Sequence, residues 1–166
     1  MVIKLVYRPR VTGLEYLAAL EGGPGLLVAN HTSHLDAVLL VAFISRRLTF
    51  AVDFKWTRAW WRQPLLRLFR VLSLNPDQSL TTRGLVEVLE RGELVVIFPE
   101  CRLTITGGLT KVYDGSGLIA AKSEVPILLI IIDGPQFTRF GRLRDLLRYC
   151  PRYPKISLTV LPPPVV

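Results

Sequence analysis

Short apolar runs of strand length alternate along this chain with longer stretches of helical periodicity. Strands are predicted at residues 4–11, 26–29, 48–52, 71–74, 94–98, 126–132 and 155–161. Helices are predicted at 37–43, 59–69, 80–91 and 114–122, while 14–20 fits either a helical turn or a further strand. This alternation indicates a single α/β domain with a largely parallel central sheet flanked by helices.

Three of these elements carry local signals of their own. The run Leu94–Phe98 is continuously apolar, as expected of a strand that is buried on both faces of a sheet. The run from Lys4 to Val11 contains Pro9, which has no amide donor and therefore favours an edge strand. Gly92 follows the third predicted helix at the position where glycine commonly ends a helix.

The chain is hydrophobic, yet it has no segment long enough to span a bilayer. Half of its 166 residues are hydrophobic and its mean hydropathy is +0.37. No uninterrupted apolar run approaches the roughly 18 residues of a spanning helix. We therefore expect a globular domain at residues 1–161 that can rest on a membrane without crossing it. The proline-rich residues 162–166 are typical of a stiff linker, and we expect them to begin a connection to a further domain.

The charge balance favours an anionic partner. The chain has 21 basic and 13 acidic residues and a formal net charge of +8, which fits nucleic acid, anionic lipid or an acidic protein. Cys101 and Cys150 lack the spacing of a metal or redox pair, and the N-terminal sequence has no secretory cleavage site. We therefore expect reduced thiols and a cytoplasmic location.

Candidate catalytic groups follow the second predicted strand. The segment Asn30-His31-Thr32-Ser33-His34-Leu35-Asp36 joins that strand to a helix, at the strand end where α/β proteins form their sites. A neutral imidazole can accept a proton from an alcohol at about pH 7, and a carboxylate on its other nitrogen orients the ring. His31 and Asp36 are the candidate pair.

Two other interpretations of this segment stay open. Ser33 and Asp36 have the spacing of a capping box, so Asp36 could serve only to begin the helix, with His31 an ordinary loop residue. A metal site formed by His31, His34 and Asp36 is less favoured, because the spacing differs from the H-x-H-x-D run of two-metal hydrolases. We predict no metal.

A second polar group follows the predicted strand at 94–98. The segment Phe98-Pro99-Glu100-Cys101-Arg102 places a carboxylate and a guanidinium at another strand end. Arginine suits bidentate binding of phosphate, and glutamate can hold either the arginine or a substrate hydroxyl or amine. A purely structural Glu–Arg pair is the alternative, although two polar groups on one sheet favour a site.

Together these segments resemble the glycerolipid acyltransferases. The first block of that family, N-H-x-x-x-x-D, matches Asn30, His31 and Asp36, and the block F-P-E-G-R matches residues 98–102 except at Cys101. Val125-Pro126-Ile127 is similar to the fourth block. The resemblance implies a glycerol-3-phosphate acyltransferase-like fold and the transfer of a fatty acyl group.

A narrower resemblance is to the acyltransferase domain of the bacterial bifunctional 2-acylglycerophosphoethanolamine acyltransferase/acyl-ACP synthetase. The similar residues are Val95–Glu100, Arg102, Thr106-Gly107, Lys111, Tyr113-Asp114-Gly115 and Gly117. This resemblance implies a lysophospholipid acceptor, 2-acyl-lysophosphatidylethanolamine, in phospholipid remodelling. It also implies a covalently linked adenylate-forming acyl-ACP synthetase domain after the chain.

The resemblance also implies roles for individual residues. His31 is the general base on the free hydroxyl of the lysophospholipid, and Asp36 orients it. The implied substrate-binding residues are Glu100, Arg102, Cys101, Asn30 and Lys111. No cofactor is implied beyond acyl-ACP or acyl-CoA as the acyl donor. The implied partners are the lysophospholipid, acyl carrier protein and the cytoplasmic face of the bacterial inner membrane, where the chain would bind peripherally.

The chain departs from the family pattern at two places. Cys101 occupies the usual glycine, and its side chain could crowd a backbone that approaches phosphate. A nucleophilic role for Cys101 is disfavoured, because no histidine is left to pair with it. The family's second block, with its arginine for the phosphate of lysophosphatidic acid, is not evident at residues 71–76, although Arg70 is adjacent. This favours an acceptor with a substituted phosphate, and a lysophosphatidic acid acyltransferase is the alternative.

Residues 55–70 are basic, contain three tryptophans and have no acidic residue. A helix of this composition favours an anionic membrane surface, although buried tryptophans beneath a solvated arginine face are the alternative. The predicted membrane-binding residues are Trp56, Arg58, Trp60, Trp61 and Arg62. A second basic patch, which would contact lipid or acyl carrier protein, comprises Arg139, Arg142, Arg144, Arg148 and Arg152.

The competing class is a non-enzymatic module that binds a membrane or nucleic acid through its basic surface alone. Such a module would show salt-dependent affinity for DNA or RNA. The sequence contains no zinc-finger spacing, aromatic RNP motif or helix-turn-helix pattern. We therefore expect an enzyme that does not bind nucleic acid.

Overall fold

The alternating elements build a seven-stranded sheet in the computed structural model, which describes residues 2–20, 22–53, 69–74, 80–113, 115–143 and 153–163. The strands are β1 (Arg10–Thr12), β2 (Gly25–Ala29), β3 (Leu48–Asp53), β4 (Arg70–Leu74), β5 (Leu94–Ile97), β6 (Ile127–Asp133) and β7 (Ser157–Val160). The α-helices are α1 (Val2–Tyr7), α2 (Leu35–Phe43), α3 (Leu80–Glu90) and α4 (Gly115–Ser123), and Leu14–Leu20 and Pro135–Phe137 form short 3₁₀ helices.

The strand order is β1-β7-β6-β2-β5-β3-β4. All neighbouring strands run parallel except β6 and β7, which pair antiparallel. The prediction of an α/β domain with a largely parallel sheet is therefore confirmed. Because β2 and β5 are central neighbours, the polar segments that follow them leave the sheet side by side.

The two faces of the sheet have separate buried clusters. Successive strand residues point to opposite faces, so Leu27 of β2 shares a cluster with Leu39 of α2. Its neighbour Leu26 shares the other cluster with Leu85 of α3 and Ile119 of α4. Helices therefore cover both faces, and all four residues of β5 are buried, as the continuous apolar run predicts.

The N-terminal segment differs from its prediction. Residues 4–11 do not form one edge strand, because Val2–Tyr7 is the helix α1 and only Arg10–Thr12 pairs with the sheet, against β7. Tyr7 at the end of this helix is partly buried against the core, and Lys4 lies over the Phe43 ring of α2, whereas Leu5 and Val6 are exposed, so the segment packs through side chains that the apolar pattern does not mark. Arg8, with φ of 40°, and Pro9 then separate the helix from the strand.

The third predicted helix ends as expected. Gly92 has φ of 81° and its amide donates to the carbonyl of Leu89 at 2.8 Å, which is the left-handed turn that glycine supplies at a helix end. The helix predicted at 59–69 lies outside the described residues, apart from Phe69. Across the described ranges, no helix combines the length and hydropathy needed to cross a bilayer.

Cys101 lies in a conformation that favours glycine. Its φ is 53°, and its amide donates to the carbonyl of Phe98 at 3.0 Å, so the chain turns sharply directly after β5. A residue with a Cβ in this left-handed region costs roughly 1–2 kcal/mol. The family's glycine at this position thus has a conformational reason in the structure, in addition to the crowding expected from the sequence.

We predict that Cys101→Gly raises the free energy of unfolding by about 0.5–1 kcal/mol. The expected gain is smaller than the strain itself, because glycine also increases the conformational entropy of the unfolded chain. Urea denaturation followed by circular dichroism measures it. Cys101→Ser is the control, since serine keeps the Cβ and should give no such gain. A glycine variant no more stable than the serine variant would show that the turn is not strained.

Candidate active site

The strand register places His31 beside Glu100. Val28 of β2 pairs with Ile97 of the parallel strand β5. His31 and Glu100 each lie three residues further along the chain, just beyond the ends of these strands. The amide of His31 donates to Oε1 of Glu100 at 2.9 Å. The two segments that the sequence singles out therefore form one site at the carboxyl edge of the sheet.

His31 and Asp36 form the predicted pair. Nδ1 of His31 lies 3.0 Å from Oδ2 of Asp36, which is fully buried at the start of α2, while the imidazole is partly exposed. The ring of His31 also stacks on Phe98, with centroids 4.2 Å apart and planes inclined by 21°. Since Nδ1 faces the carboxylate, Nε2 is the ring nitrogen left to exchange a proton with a substrate.

The Asp36 carboxylate also closes the loop that holds His31. Its Oδ2 accepts the amides of Thr32 at 2.6 Å and Ser33 at 2.8 Å, and its Oδ1 accepts the Thr32 hydroxyl at 3.0 Å. The capping box itself is not formed, because the N-cap of α2 is His34 and Oγ of Ser33 accepts the amide of Leu35, although the Asp36 carboxylate does reach back to the amide of Ser33. Asp36 therefore both binds backbone amides at the start of the helix and contacts the imidazole of His31, so the two interpretations of this residue are compatible.

Glu100 is buried, and its carboxylate is hydrogen-bonded to two other segments of the protein. Besides the amide of His31, its carboxylate accepts the amide of Thr110 at 2.8 Å and the hydroxyl of Thr110 at 2.6 Å, both through Oε2. In the described part of the chain, Glu100 forms no ion pair with Arg102. Glu100 therefore connects the His31 loop to the segment around Thr110.

The same segment binds the other backbone group of His31. The amide of Thr104 donates to the carbonyl of His31 at 3.0 Å. The Thr104 hydroxyl accepts the amide of Gly107 at 3.0 Å and donates to the carbonyl of Gly108 at 2.8 Å, which folds the segment back on itself. The amide and the carbonyl of His31 are thus both held by residues 100–104.

The side chain of Asn30 is hydrogen-bonded to the backbone of a neighbouring strand. Its Nδ2 donates to the carbonyl of Ile132 at 2.8 Å, and its Oδ1 accepts the amide of Ile132 at 2.7 Å. The amide side chain therefore extends the pairing of β2 with β6 beyond the last strand residue and positions the chain that enters His31.

The other predicted substrate-binding residues lie on the segment after Glu100. Arg102 is exposed, two residues from both Glu100 and Thr104, and no carboxylate among the described residues pairs with it. Cys101 is exposed beside it. Lys111 is further along the segment, with its ammonium 5.1 Å from the centre of the Tyr113 ring. Of the two basic residues, Arg102 is the nearer in sequence to Glu100 and Thr104, the two residues that bind the backbone of His31.

The predicted surface residues are only partly described. Trp56, Arg58, Trp60, Trp61 and Arg62 lie outside the described residues, as do three members of the second basic patch, Arg144, Arg148 and Arg152. Arg139 and Arg142 are exposed. In the ranges that the structure describes, no group of three or more histidine, cysteine or acidic residues could hold a metal ion.

Arg70 lies at the amino ends of the parallel strands, opposite to the end at which His31 lies. It is the arginine next to residues 71–76, where the family's second block is not evident. It begins β4, whereas His31 follows the end of the parallel strand β2. Its guanidinium pairs with Glu93 at 2.9 Å. The hydroxyl of Thr49, and after it the Arg70 guanidinium, hold the pKa of Glu93 below its ordinary value. Arg70 is therefore committed to an ion pair remote from His31.

Sequence reasoning missed three threonines. Thr32 lies inside the H-x-x-x-x-D segment, and its hydroxyl, four residues before the aspartate, was the feature from which its hydrogen bond to Asp36 could have been predicted. Thr104 and Thr110 have no such signal, because their roles depend on how the segment after Glu100 folds back. Phe98, quoted only as part of a motif, also supports the face of the His31 ring.

The chain is similar in sequence to known acyltransferases. Residues 8–133 match the family described as Acyltransferase. The chain is 27% identical over 135 residues to the chloroplastic 1-acyl-sn-glycerol-3-phosphate acyltransferase BAT2 of Brassica napus, covering 77% of this chain and 38% of that protein. It is 26% identical over 135 residues to the chloroplastic 1-acyl-sn-glycerol-3-phosphate acyltransferase LPAT1 of Arabidopsis thaliana, covering 77% and 36%. The chain thus spans less than two fifths of these relatives.

A solved structure shows the same fold. The crystal structure of the 1-acyl-sn-glycerophosphate (LPA) acyltransferase PlsC from Thermotoga maritima superposes with a TM-score of 0.70, covering 95% of this chain and 62% of that one, at 21% identity. The predicted acyltransferase-like fold is confirmed. His31, Asp36, Glu100 and Arg102 all lie inside the residues that match the family. Because that match covers well over half of the chain, the chain belongs to the acyltransferase family.

Proposed function

We propose that this acyltransferase moves a fatty acyl group from a thioester to the free hydroxyl of a lysophospholipid, with His31 as the general base. The observation that supports this most directly is the 3.0 Å contact between His31 Nδ1 and the buried Asp36 carboxylate. That contact leaves Nε2, on the partly exposed ring, to take the hydroxyl proton.

The proposed step needs no acyl-enzyme intermediate. The hydroxyl oxygen bonds to the thioester carbonyl carbon as its proton passes to Nε2, the carbon–sulfur bond breaks, and the leaving thiolate receives the proton. Asp36 stabilises the imidazolium that forms in between. Its carboxylate stays in place because Thr32 and Ser33 donate three further hydrogen bonds to it. Acyl-ACP and acyl-CoA both carry the thioester that this step requires.

Lysophosphatidic acid is the acceptor that the comparisons favour, because the relatives from Brassica napus and Arabidopsis thaliana are both named 1-acyl-sn-glycerol-3-phosphate acyltransferases. Arg102 is the residue we propose for its phosphate. It is exposed next to the His31 loop, and a guanidinium suits bidentate binding of phosphate.

Lysophosphatidylethanolamine is the second candidate acceptor. The observation in its favour is that Arg70 pairs with Glu93 at the opposite edge of the sheet and so cannot supply a second cation for an unsubstituted phosphate. The resemblance to the bifunctional acyltransferase/acyl-ACP synthetase points the same way. An acyl carrier protein partner, a covalently linked synthetase domain and peripheral binding at the cytoplasmic face of the inner membrane stay predictions of that resemblance.

We predict that His31→Ala lowers turnover by about 10²–10⁴, the usual contribution of a general base. Transfer of labelled acyl groups from acyl-ACP and acyl-CoA to lysophospholipid in mixed micelles measures it. His34→Ala is the matched control, because His34 lies three residues away in the same loop and should leave most of the turnover. Equal losses in the two variants, or none in His31→Ala, would remove His31 as the base.

The acceptor is tested by measuring kcat/KM for lysophosphatidic acid and lysophosphatidylethanolamine side by side. We expect the higher value for lysophosphatidic acid, and we expect Arg102→Gln to lower it by about 10–100-fold, as for the loss of a hydrogen bond to a charged group. Arg91→Gln, at the end of α3 near the opposite sheet edge, controls for net charge. A higher kcat/KM for lysophosphatidylethanolamine would select the second candidate.

The Glu100→Gln variant distinguishes a structural role of Glu100 within the protein from a role in binding the substrate. Because an amide donor would face the amides of His31 or Thr110, we predict a loss of about 1–3 kcal/mol in the free energy of unfolding. Urea denaturation measures this loss, and Arg102→Gln should show none. A variant of normal stability with a raised KM for the acceptor would instead place Glu100 in contact with substrate.

A further inference from the structure

The segment after Glu100 exposes apolar side chains next to the site. We call residues 101–113 the docking loop. Four of its apolar side chains are exposed: Ile105 (55%), Leu109 (69%), Val112 (46%) and Tyr113 (44%). Single exposed apolar residues are common on protein surfaces, but four within nine residues concentrate exposed apolar side chains on one short segment, which is typical of an interaction site.

The charged side chains of the docking loop are all basic. Arg102 and Lys111 are exposed, and residues 101–113 contain no aspartate or glutamate. The Lys111 ammonium lies 5.1 Å from the centre of the Tyr113 ring, so a cation and an amphipathic aromatic group are presented together. This combination of exposed apolar side chains and exposed cations suits an anionic lipid surface.

The docking loop is folded by its own contacts, so its apolar side chains are not exposed through loss of structure. The amide of Tyr113 donates to the carbonyl of Pro99 at 3.0 Å, which closes the loop at its base. Within the loop, Leu103 and Thr104 are buried, and Thr110 is hydrogen-bonded to Glu100. The four exposed apolar side chains therefore belong to a loop that is fixed to the rest of the domain at several points.

The contacts of the docking loop also connect it to the proposed base. The amide of Thr104 binds the carbonyl of His31, and Thr110 binds the Glu100 carboxylate that accepts the amide of His31. A surface that receives Ile105 and Leu109 would therefore hold His31 at a fixed distance from it. This arrangement suits an acceptor whose acyl chain stays in the membrane.

We infer that the docking loop seats the site on an anionic phospholipid bilayer, with Ile105, Leu109 and Val112 entering the acyl-chain boundary and Arg102 and Lys111 at the headgroups. The inference deepens the proposed function and rests on it for the identity of the acceptor. A bilayer fits better than an acidic carrier protein, because an acidic surface would match the two cations and leave the apolar side chains in water. The docking loop is a different stretch of the sequence from residues 55–70, for which the sequence also predicts membrane binding.

Co-sedimentation of the full chain with vesicles tests the inference without any turnover measurement. The vesicles are equimolar phosphatidylcholine and phosphatidylglycerol, with pure phosphatidylcholine for comparison. We expect Leu109→Ser to lower the partition coefficient onto the anionic vesicles about three- to tenfold, because a partly buried leucine is lost from the interface. Leu5→Ser in α1 is the matched control, since Leu5 is 76% exposed and undergoes the same substitution.

The inference predicts a larger loss for Ile105→Ser combined with Leu109→Ser, weaker binding to pure phosphatidylcholine, and unchanged thermal unfolding in all variants. Unchanged vesicle binding in Leu109→Ser, or an equal loss in Leu5→Ser, would overturn it. So would a loss of affinity for acyl carrier protein with vesicle binding intact. Because binding is measured alone, a failed acyl-transfer assay would count against the proposed function and leave this result standing.

Discussion

The buried Glu100 carboxylate is the interaction on which the rest of the site depends. It receives hydrogen bonds from the amide of His31 and from the amide and hydroxyl of Thr110, so it joins the ends of two neighbouring strands to the docking loop. A carboxylate removed from water is costly unless its oxygens are well hydrogen-bonded. The need to satisfy Glu100 therefore forces these three segments into one arrangement.

The two buried acids divide the support of His31 between them. Asp36 acts within seven residues of sequence, where it closes the loop and orients the ring. Glu100 acts across the sheet and holds the backbone amide of His31. Because the ring and the backbone are restrained by different side chains, the imidazole has little freedom to turn away from Asp36. Pre-organisation of this kind is what a general base requires before substrate binds.

The sequence allowed the fold to be predicted wherever apolar periodicity was clear. The runs at 26–29 and 94–98 were recognised as strands, and with their register known, the approach of His31 to Glu100 follows by counting. The helix Val2–Tyr7 was missed because a segment with apolar residues at mixed spacing fits either element. Thr104 and Thr110 could not be predicted at all, since a threonine in a polar loop shows nothing of its partners until the loop folds.

Cys101 shows how the turn and the site constrain each other. The chain must reverse directly after Glu100 so that residues 102–104 can return to the carbonyl of His31, and the left-handed conformation at residue 101 makes that reversal. Glycine meets the requirement without strain, whereas cysteine meets it at a cost. That the turn is kept with an unfavourable residue indicates that the contacts on either side of it, from Glu100 and from Thr104 to His31, outweigh the strain. Those two contacts, together with the hydrogen bond from the Tyr113 amide to the Pro99 carbonyl, hold the docking loop beside the site although its apolar side chains are exposed.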